Sequence, residues 1–351
     1  MTLQPDIPAP KLAADSDELL AVEKLRVSFA LDEGTVRAVQ DVSLRVRQRE
    51  IVGVIGESGC GKSVTAQAIM RILPKPGRID GGRMLFHSRR HPGELLDLAA
   101  LPANSRAARQ IRGAEICMIF QEPMTAFSPV HTIGSQIVEA IRLHRKMTSR
   151  AARSLAAEML ERVGIPQGRA RLDAYPFQLS GGMRQRAMIA MALCTHPSLL
   201  IADEPSTALD VTIQAQILDL MKELRDAFDM AILLITHDLG VVAETCQYVY
   251  VMYLGRVVES GTVDQIFHHP HHPYTRALLG SMPRLTGPVE DRLTVIQGSV
   301  PDPYATLSGC PFHPRCTEMM PGKCDQGEAP DLTAVEADHH AACLLHTESS
   351  Q

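Results

Sequence analysis

The segment Ile51-Val-Gly-Val-Ile55, followed at once by Gly56-Glu-Ser-Gly-Cys-Gly-Lys-Ser63, constrains this chain more than any other stretch. A short, unbroken apolar run reads as a strand buried on both faces. The glycines and the Lys-Ser pair behind it have the spacing of a phosphate-binding loop. Glycines let successive backbone N–H groups turn inward around phosphate oxygens, and a helix starting there aims its positive end at the same oxygens. Lys62 then reaches the β- and γ-phosphates, and the Ser63 hydroxyl ligates Mg²⁺. Gly56, Glu57, Ser58, Gly59, Cys60, Gly61, Lys62 and Ser63 are therefore the expected ATP-binding residues. A Gly-rich turn without a ligand is the plain alternative, and the strand before and the helical pattern after it weigh against that.

A second apolar strand, Leu199-Leu-Ile-Ala202, ends in Asp203 and Glu204. Open parallel sheets bind ligands beyond the carboxyl ends of their strands. Asp203 is thus placed to hold Mg²⁺ and Glu204 to polarise an attacking water. Alone, an acidic pair after a strand is often only a loop start, and the phosphate loop gives it meaning. Ile232–Thr236 reads as a further buried strand. Between these two strands Ile213, Ile217, Leu220, Met221 and Leu224 recur at helical spacing. Strand, helix, strand implies a parallel sheet with crossover helices, an α/β fold. Leu25–Phe29 and Val42–Val46 alternate like half-buried strands. Residues 150–163 carry Leu155, Met159, Leu160 and Val163 on one helical face, with Thr148 or Ser149 as cap.

Composition bounds the alternatives. A net charge of -5 lacks the basic footprint of a general nucleic-acid binder. The apolar runs are strand-sized, shorter than the ~18 residues needed to span a bilayer, and residues 1–17 lack a secretory pattern. The expected location is therefore cytoplasmic, where disulfides are the less common use of the eight cysteines.

Phosphate loops serve kinases, GTPases, helicases and transport motors, and Leu179-Ser-Gly-Gly-Met-Arg-Gln-Arg186 separates these. It resembles the signature motif of the ABC ATPases. In that family Ser180, Gly181, Gly182 and Gln185 belong to a cradle that meets the γ-phosphate held by the other subunit of a head-to-tail dimer. A capped helix start is the bland reading of the same residues. The resemblance extends to Gln121 as the Q-loop glutamine at Mg²⁺, Asp210 as the D-loop residue, His237 as the switch histidine, and Phe29 as the aromatic that stacks on adenine. Phe29 has core packing as its alternative. It implies Glu204, His237 and Lys62 as the catalytic set, and Ser63, Gln121 and Asp203 around Mg²⁺.

Finer features are similar to the ATP-binding subunits of bacterial oligopeptide and dipeptide importers. These are Met118-Ile-Phe-Gln-Glu-Pro-Met-Thr125, Ala202–Gln216, His272-Pro-Tyr-Thr275 with Ala277-Leu-Leu279, and Gly309-Cys-Pro-Phe-His-Pro-Arg-Cys316. Phe127-Ser128 stands where that group usually has Leu-Asn, and Ser206 where it has Thr; neither change removes a catalytic group. Met124, Phe127 and Val130 could line a groove for the permease's coupling helix, with core packing an equal alternative. The expected organisation is a tail over 1–19, an ABC-type nucleotide-binding domain over 20–265 with a helical subdomain at about 122–182, and a Pro-rich, loop-rich extension over 266–351.

That extension holds Cys310, Cys316, Cys324 and Cys343 at spacings of five, seven and eighteen intervening residues. Neither a zinc-ribbon pair nor a familiar ferredoxin spacing is present. Spacing alone says that four soft ligands converge, leaving an iron–sulfur cluster, zinc or plain thiols open. The resemblance implies a [4Fe–4S] cluster. It also implies a second ABC ATPase, commonly a related rather than identical chain, two transmembrane permeases, and a solute-binding protein acting through them at the cytoplasmic face of the inner membrane. A soluble ABC ATPase working on nucleic acid or ribosomes, a redox scaffold around the cysteines, and the same motor serving nickel, opine or oligosaccharide import are the competing readings.

Overall fold

The computed structural model describes residues 17–91, 93–121, 126–205, 211–281 and 296–346. Its strands are β1 (Glu18–Leu31), β2 (Gly34–Arg47), β3 (Ile51–Ile55), β4 (Gly77–His87), β5 (Leu95–Asp97), β6 (Ile116–Ile119), β7 (Leu199–Asp203), β8 (Ala231–Ile235), β9 (Tyr248–Tyr253), β10 (Arg256–Thr262), β11 (Thr333–Glu336) and β12 (His339–Ala341). Its helices are α1 (Lys62–Ile69), α2 (Arg106–Ile111), α3 (Ile133–His144), α4 (Ser149–Arg162), α5 (Gly168–Arg171), α6 (Gly181–Leu193), α7 (Val211–Phe228), α8 (Leu239–Thr245), α9 (Val263–His268) and α10 (Pro273–Gly280). Among the described residues no helix is long and apolar enough to cross a membrane.

Two sheets form. An antiparallel sheet runs β2-β1-β4-β5, and a mixed sheet runs β11-β12-β10-β9-β3-β8-β7-β6. In the mixed sheet β9, β3, β8, β7 and β6 are mutually parallel. Its central strands β3 and β8 are apolar throughout because both faces are covered. Along β8, Ala231, Leu233 and Ile235 pack with the antiparallel sheet. Ile232 and Leu234 turn to the opposite face, where the helices lie. β3 divides in the same way, with Val52 and Val54 toward one core and Ile51 and Ile55 toward the other. Each such side chain contributes about 1.5–3 kcal/mol on burial, so the pattern fixes which face each residue takes.

The helices between β6 and β7 follow their sequence signals. Thr148 caps α4, its side chain accepting from the Ala151 N–H. The buried stripe of α4 is Ala152, Ala156, Met159 and Leu160, with Leu155 only partly covered. Small residues at 152 and 156 let the neighbouring helices approach more closely than the Leu155 face would. Phe127 is buried in this core, whereas Val130 is 73% exposed. These two therefore do not share one surface groove, and Met124 lies outside the described residues.

The Pro-rich, loop-rich tail is joined to the mixed sheet. After α9 and α10 its last strands form a β11–β12 hairpin, and β12 pairs with β10, so the extension continues the mixed sheet. An open sheet edge presents unpaired N–H and C=O groups, which a hairpin covers.

Candidate functional site

Four adjacent strands, in the order β3-β8-β7-β6, end on one side of the mixed sheet and place the predicted polar residues together. The phosphate loop leaves β3. Its Gly56 and Gly61 have φ of 145° and 101°. A Cβ at Gly56 would collide with the Met252 carbonyl oxygen, and one at Gly61 with that of Ala38. Glycine is required there both by conformation and by space. Lys62 is buried, and its Nζ donates to the carbonyls of Gly56 at 2.7 Å and Glu57 at 2.9 Å. The Cys60 thiol faces the same ammonium at 3.6 Å. Burial nonetheless raises its pKa, so the thiol stays neutral.

Ser63 Oγ donates to Asp203 Oδ1 at 3.0 Å, which joins the loop to the end of β7. Burial raises the Asp203 carboxyl above its ordinary range, opposed chiefly by the Ser63 hydrogen bond. The next residue, Glu204, adopts φ of 48°, a left-handed conformation that costs about 1 kcal/mol outside glycine. Its N–H donates to the Ile235 carbonyl at 2.8 Å, which holds that turn against β8. One carboxylate oxygen accepts from Gln121 Nε2 at 2.9 Å, and the other lies 3.3 Å from His237 Nδ1. Gln121, Asp203, Glu204, His237, Lys62 and Ser63 thus meet at the strand ends.

The signature segment is arranged differently. Ser180 is the N-cap of α6, its Oγ accepting from the Met183 N–H at 3.3 Å, and Ser180 and Gly181 are exposed. Gln185 does not share that surface. It is buried, and its Nε2 donates to the Pro205 carbonyl, tying α6 to the turn after Glu204. The 3.6-residue period explains this: five positions beyond the exposed cap, at about 100° each, position 185 lies roughly 140° further round the helix and faces the core. Asp210, like Ser206, lies outside the described residues.

Phe29 packs as its core alternative describes. Its ring lies over Gly77, where an added Cβ would meet Phe29 Cε1 at 2.6 Å, and it packs against the second core. Phe29 and Gly77 are partners across the β1–β4 pairing, in continuous register with Val27–Ile79 and Ser28–Arg78. The cavity of about 750 Å³ beside Ser58 and Gly59 is lined by Tyr304, from the C-terminal extension. Phe29 is not among its lining residues.

The extension also braces the phosphate loop directly. Arg315 is buried, and its guanidinium grips both carboxylate oxygens of Glu57. The Glu57 N–H donates to the Tyr274 hydroxyl at 2.9 Å. Tyr253, Tyr274 and Phe312 pack ring to ring beneath this contact, with centroids 4.7–5.4 Å apart. No local pattern marks Arg315 or Tyr274 as site residues, because their partner lies more than 200 positions away.

The four cysteines converge on a small pocket lined also by His272, Pro273 and Phe312. Backbone N–H groups of Phe312, Glu318 and Leu345, each two residues beyond a cysteine, hydrogen-bond to Cys310, Cys316 and Cys343. The Met320 N–H donates to Cys324 Sγ at 3.4 Å. Burial pushes the Cys310 thiol up to about 11.

Comparison with known proteins adds the following. The ABC transporter family matches residues 39–207, and the family described as oligopeptide/dipeptide transporter, C-terminal region, matches residues 258–324. The chain is 48% identical over 336 residues to the dipeptide transport ATP-binding protein DppD of Bacillus subtilis (strain 168), covering 95% of this chain and 97% of that one. It is 46% identical over 325 residues to the DppD protein of Escherichia coli (strain K12), covering 93% and 96%. Its fold is similar to the dimeric cassette MJ0796 bound to ADP and Pi, with a TM-score of 0.61 at 23% identity, covering 70% of this chain and 99% of that one. CbiO1 of Clostridium perfringens, part of the cbiONQ complex, matches with a TM-score of 0.58 at 26% identity, covering 72% and 92%.

Proposed function

The chain belongs to the ABC transporter ATPases that carry the oligopeptide/dipeptide C-terminal region, and on that premise we propose that it is the ATP-hydrolysing motor subunit of a bacterial peptide importer. The observation that carries the chemistry is the convergence of Lys62, Ser63, Gln121, Asp203, Glu204 and His237 at the ends of four neighbouring strands. The relatives' names support the peptide cargo, since DppD is a dipeptide transport ATP-binding protein.

Phosphoryl transfer to water asks the protein for positioning and charge stabilisation more than for covalent chemistry. Lys62 neutralises charge on the β- and γ-phosphates. Glu204 accepts a hydrogen bond from the attacking water and aims it at the γ-phosphorus. The Glu204 side chain is held for this between Gln121 and His237, and His237 is exposed enough to turn to the γ-phosphate. Ser63, Asp203 and Gln121 are the residues that would hold Mg²⁺, which supplies charge neutralisation at the phosphates. Ser180 and Gly182 act on the nucleotide of a second ATPase subunit, since their exposed N-cap opens away from the chain's own core. Two permeases at the cytoplasmic face of the inner membrane receive the motion, and a solute-binding protein delivers the cargo through them.

Cys310, Cys316, Cys324 and Cys343 line one pocket and can together hold a [4Fe–4S] cluster, the ligand that the resemblance to the peptide-importer ATPases favours. Backbone N–H groups are already hydrogen-bonded to the sulfurs. The cluster would supply a cross-link for a loop-rich region that buries little core of its own.

The test is phosphate release from the chain assembled with its permeases and partner ATPase in liposomes. Turnover should rise when the peptide-loaded binding protein is added and peptide should accumulate. ATP turnover indifferent to loaded binding protein, with no peptide accumulation, would overturn the importer reading.

A further inference from the structure

Away from the nucleotide site and the cysteines, one cluster of side chains has no role in anything described above. The loop between α9 and α10 carries His271, β11 ends on Glu336, and β12 begins with His339. One donor atom from each lies within 4.8 Å of the other two, the sole such group of three among the described residues. The rings of His271 and His339 meet edge to face, with centroids 4.7 Å apart.

What these rings leave unsatisfied points to a ligand. His339 is fully buried, and its Nε2 is engaged by Glu259 Oε1 at 2.9 Å. That hydrogen bond makes Nε2 the protonated nitrogen and leaves a lone pair on Nδ1. Nδ1 is buried and has no hydrogen-bond partner. The same holds for His271 Nε2, whose nearest acidic atom is Glu336 Oε1 at 3.7 Å. A buried ring nitrogen without a partner costs about 1–3 kcal/mol, and here two of them converge beside one carboxylate.

We propose that His271 Nε2, His339 Nδ1 and Glu336 form a binding site for one divalent first-row transition ion, zinc by preference. Two imidazoles and one carboxylate are a common three-ligand zinc set, with water in the fourth position. Magnesium and calcium prefer all-oxygen shells and fit poorly. Glu259 stands behind His339 as the orienting carboxylate, completing a carboxylate–histidine–metal relay. It is itself fixed by accepting the N–H groups of His271 at 2.6 Å and His272 at 3.0 Å. The Glu336 side chain is 54% exposed, which gives an ion both an entry path and a ligand free to swing inward. Bonds of about 2.0 Å would draw the donors to roughly 3.3 Å from one another. The ion would pin the β11–β12 hairpin to the loop leading into α10, and so hold the end of the extension against β10.

Co²⁺ and Zn²⁺ are the probes, added to the full-length chain. The wild type should bind one Co²⁺ with the spectrum of nitrogen and oxygen ligands and without thiolate charge-transfer absorption. Zn²⁺ affinity, read by competition with a chromogenic chelator, should fall about 10- to 100-fold in Glu336→Gln and at least about 100-fold in His271→Ala. Glu336→Gln changes an exposed position, so it tests the site without risk to the fold. Cys316→Ser should leave this binding intact. Added Zn²⁺ should also slow amide exchange across residues 333–341 in the wild type and not in His271→Ala. Thiolate bands in the Co²⁺ spectrum would assign the ion to the cysteines and overturn the proposal, as would equal Zn²⁺ affinity in wild type and both variants.

Discussion

Arg315 donates to both carboxylate oxygens of Glu57, at 2.7 and 3.1 Å, across 258 positions of sequence. The guanidinium is 4% exposed and the carboxylate 26%, so the pair is largely withdrawn from water. A bidentate fork of this kind fixes orientation as well as distance. The C-terminal extension thereby sets the conformation of the loop that binds phosphate, and its integrity reaches the nucleotide.

Arg315→Met should therefore destabilise the chain by about 2–4 kcal/mol, because it leaves a partly buried carboxylate without its partner. Mg-ATP binding should weaken about tenfold, equivalent to ~1.4 kcal/mol. Adding Glu57→Gln to Arg315→Met should recover part of the loss, since the stranded charge is gone. Urea unfolding and nucleotide titration read both effects. Unchanged nucleotide affinity in Arg315→Met would separate the extension from the site.

Glu204→Gln should keep ATP binding and cut turnover by about 10²- to 10⁴-fold, roughly 3–5 kcal/mol of barrier. The amide preserves the shape held between Gln121 and His237 but is a far weaker acceptor for the water. Phosphate release from the assembled transporter measures it. Near-normal turnover, with the partner subunit's own site silenced, removes Glu204 from the water-activating role.

Lys62→Ala and Ser180→Arg should fail in different ways. Lys62 is buried within its own phosphate loop, so its loss weakens nucleotide binding to the isolated subunit. Ser180 is an exposed cap, so Ser180→Arg should spare that binding and block ATP-induced dimer formation, seen by light scattering. Equal loss of monomer binding in both would place the signature on the chain's own nucleotide.

Protein purified without oxygen should be brown and hold about four irons per chain. Cys316→Ser should bleach it and speed proteolysis beyond about residue 280. Stoichiometric zinc with no iron would keep the ligands and reject the cluster. Free alkylation of all four thiols in the folded protein would reject the site.

The sequence alone determined the nucleotide-binding half of this protein. Continuous apolar runs at 51–55, 199–202 and 232–235 can be satisfied only between two covered faces, which makes them neighbouring parallel strands. Gly56 and Gly61 mark a turn no other residue could make, and the carboxylates follow their strand directly. These signals are local, because backbone sterics and short-range periodicity carry them. The tertiary structure alone decided that Gln185 turns inward to Pro205, that the pairing of β1 with β4 sets Phe29 on Gly77, and that Tyr304 lines the cavity beside Ser58. It also decided that Arg315 grips Glu57, and that His271, Glu336 and His339 meet. Each of these depends on a contact between segments 20 to 258 positions apart. Such contacts are selected by the free energy of the whole packed chain, and the local signals that mark strands, turns and caps do not encode them.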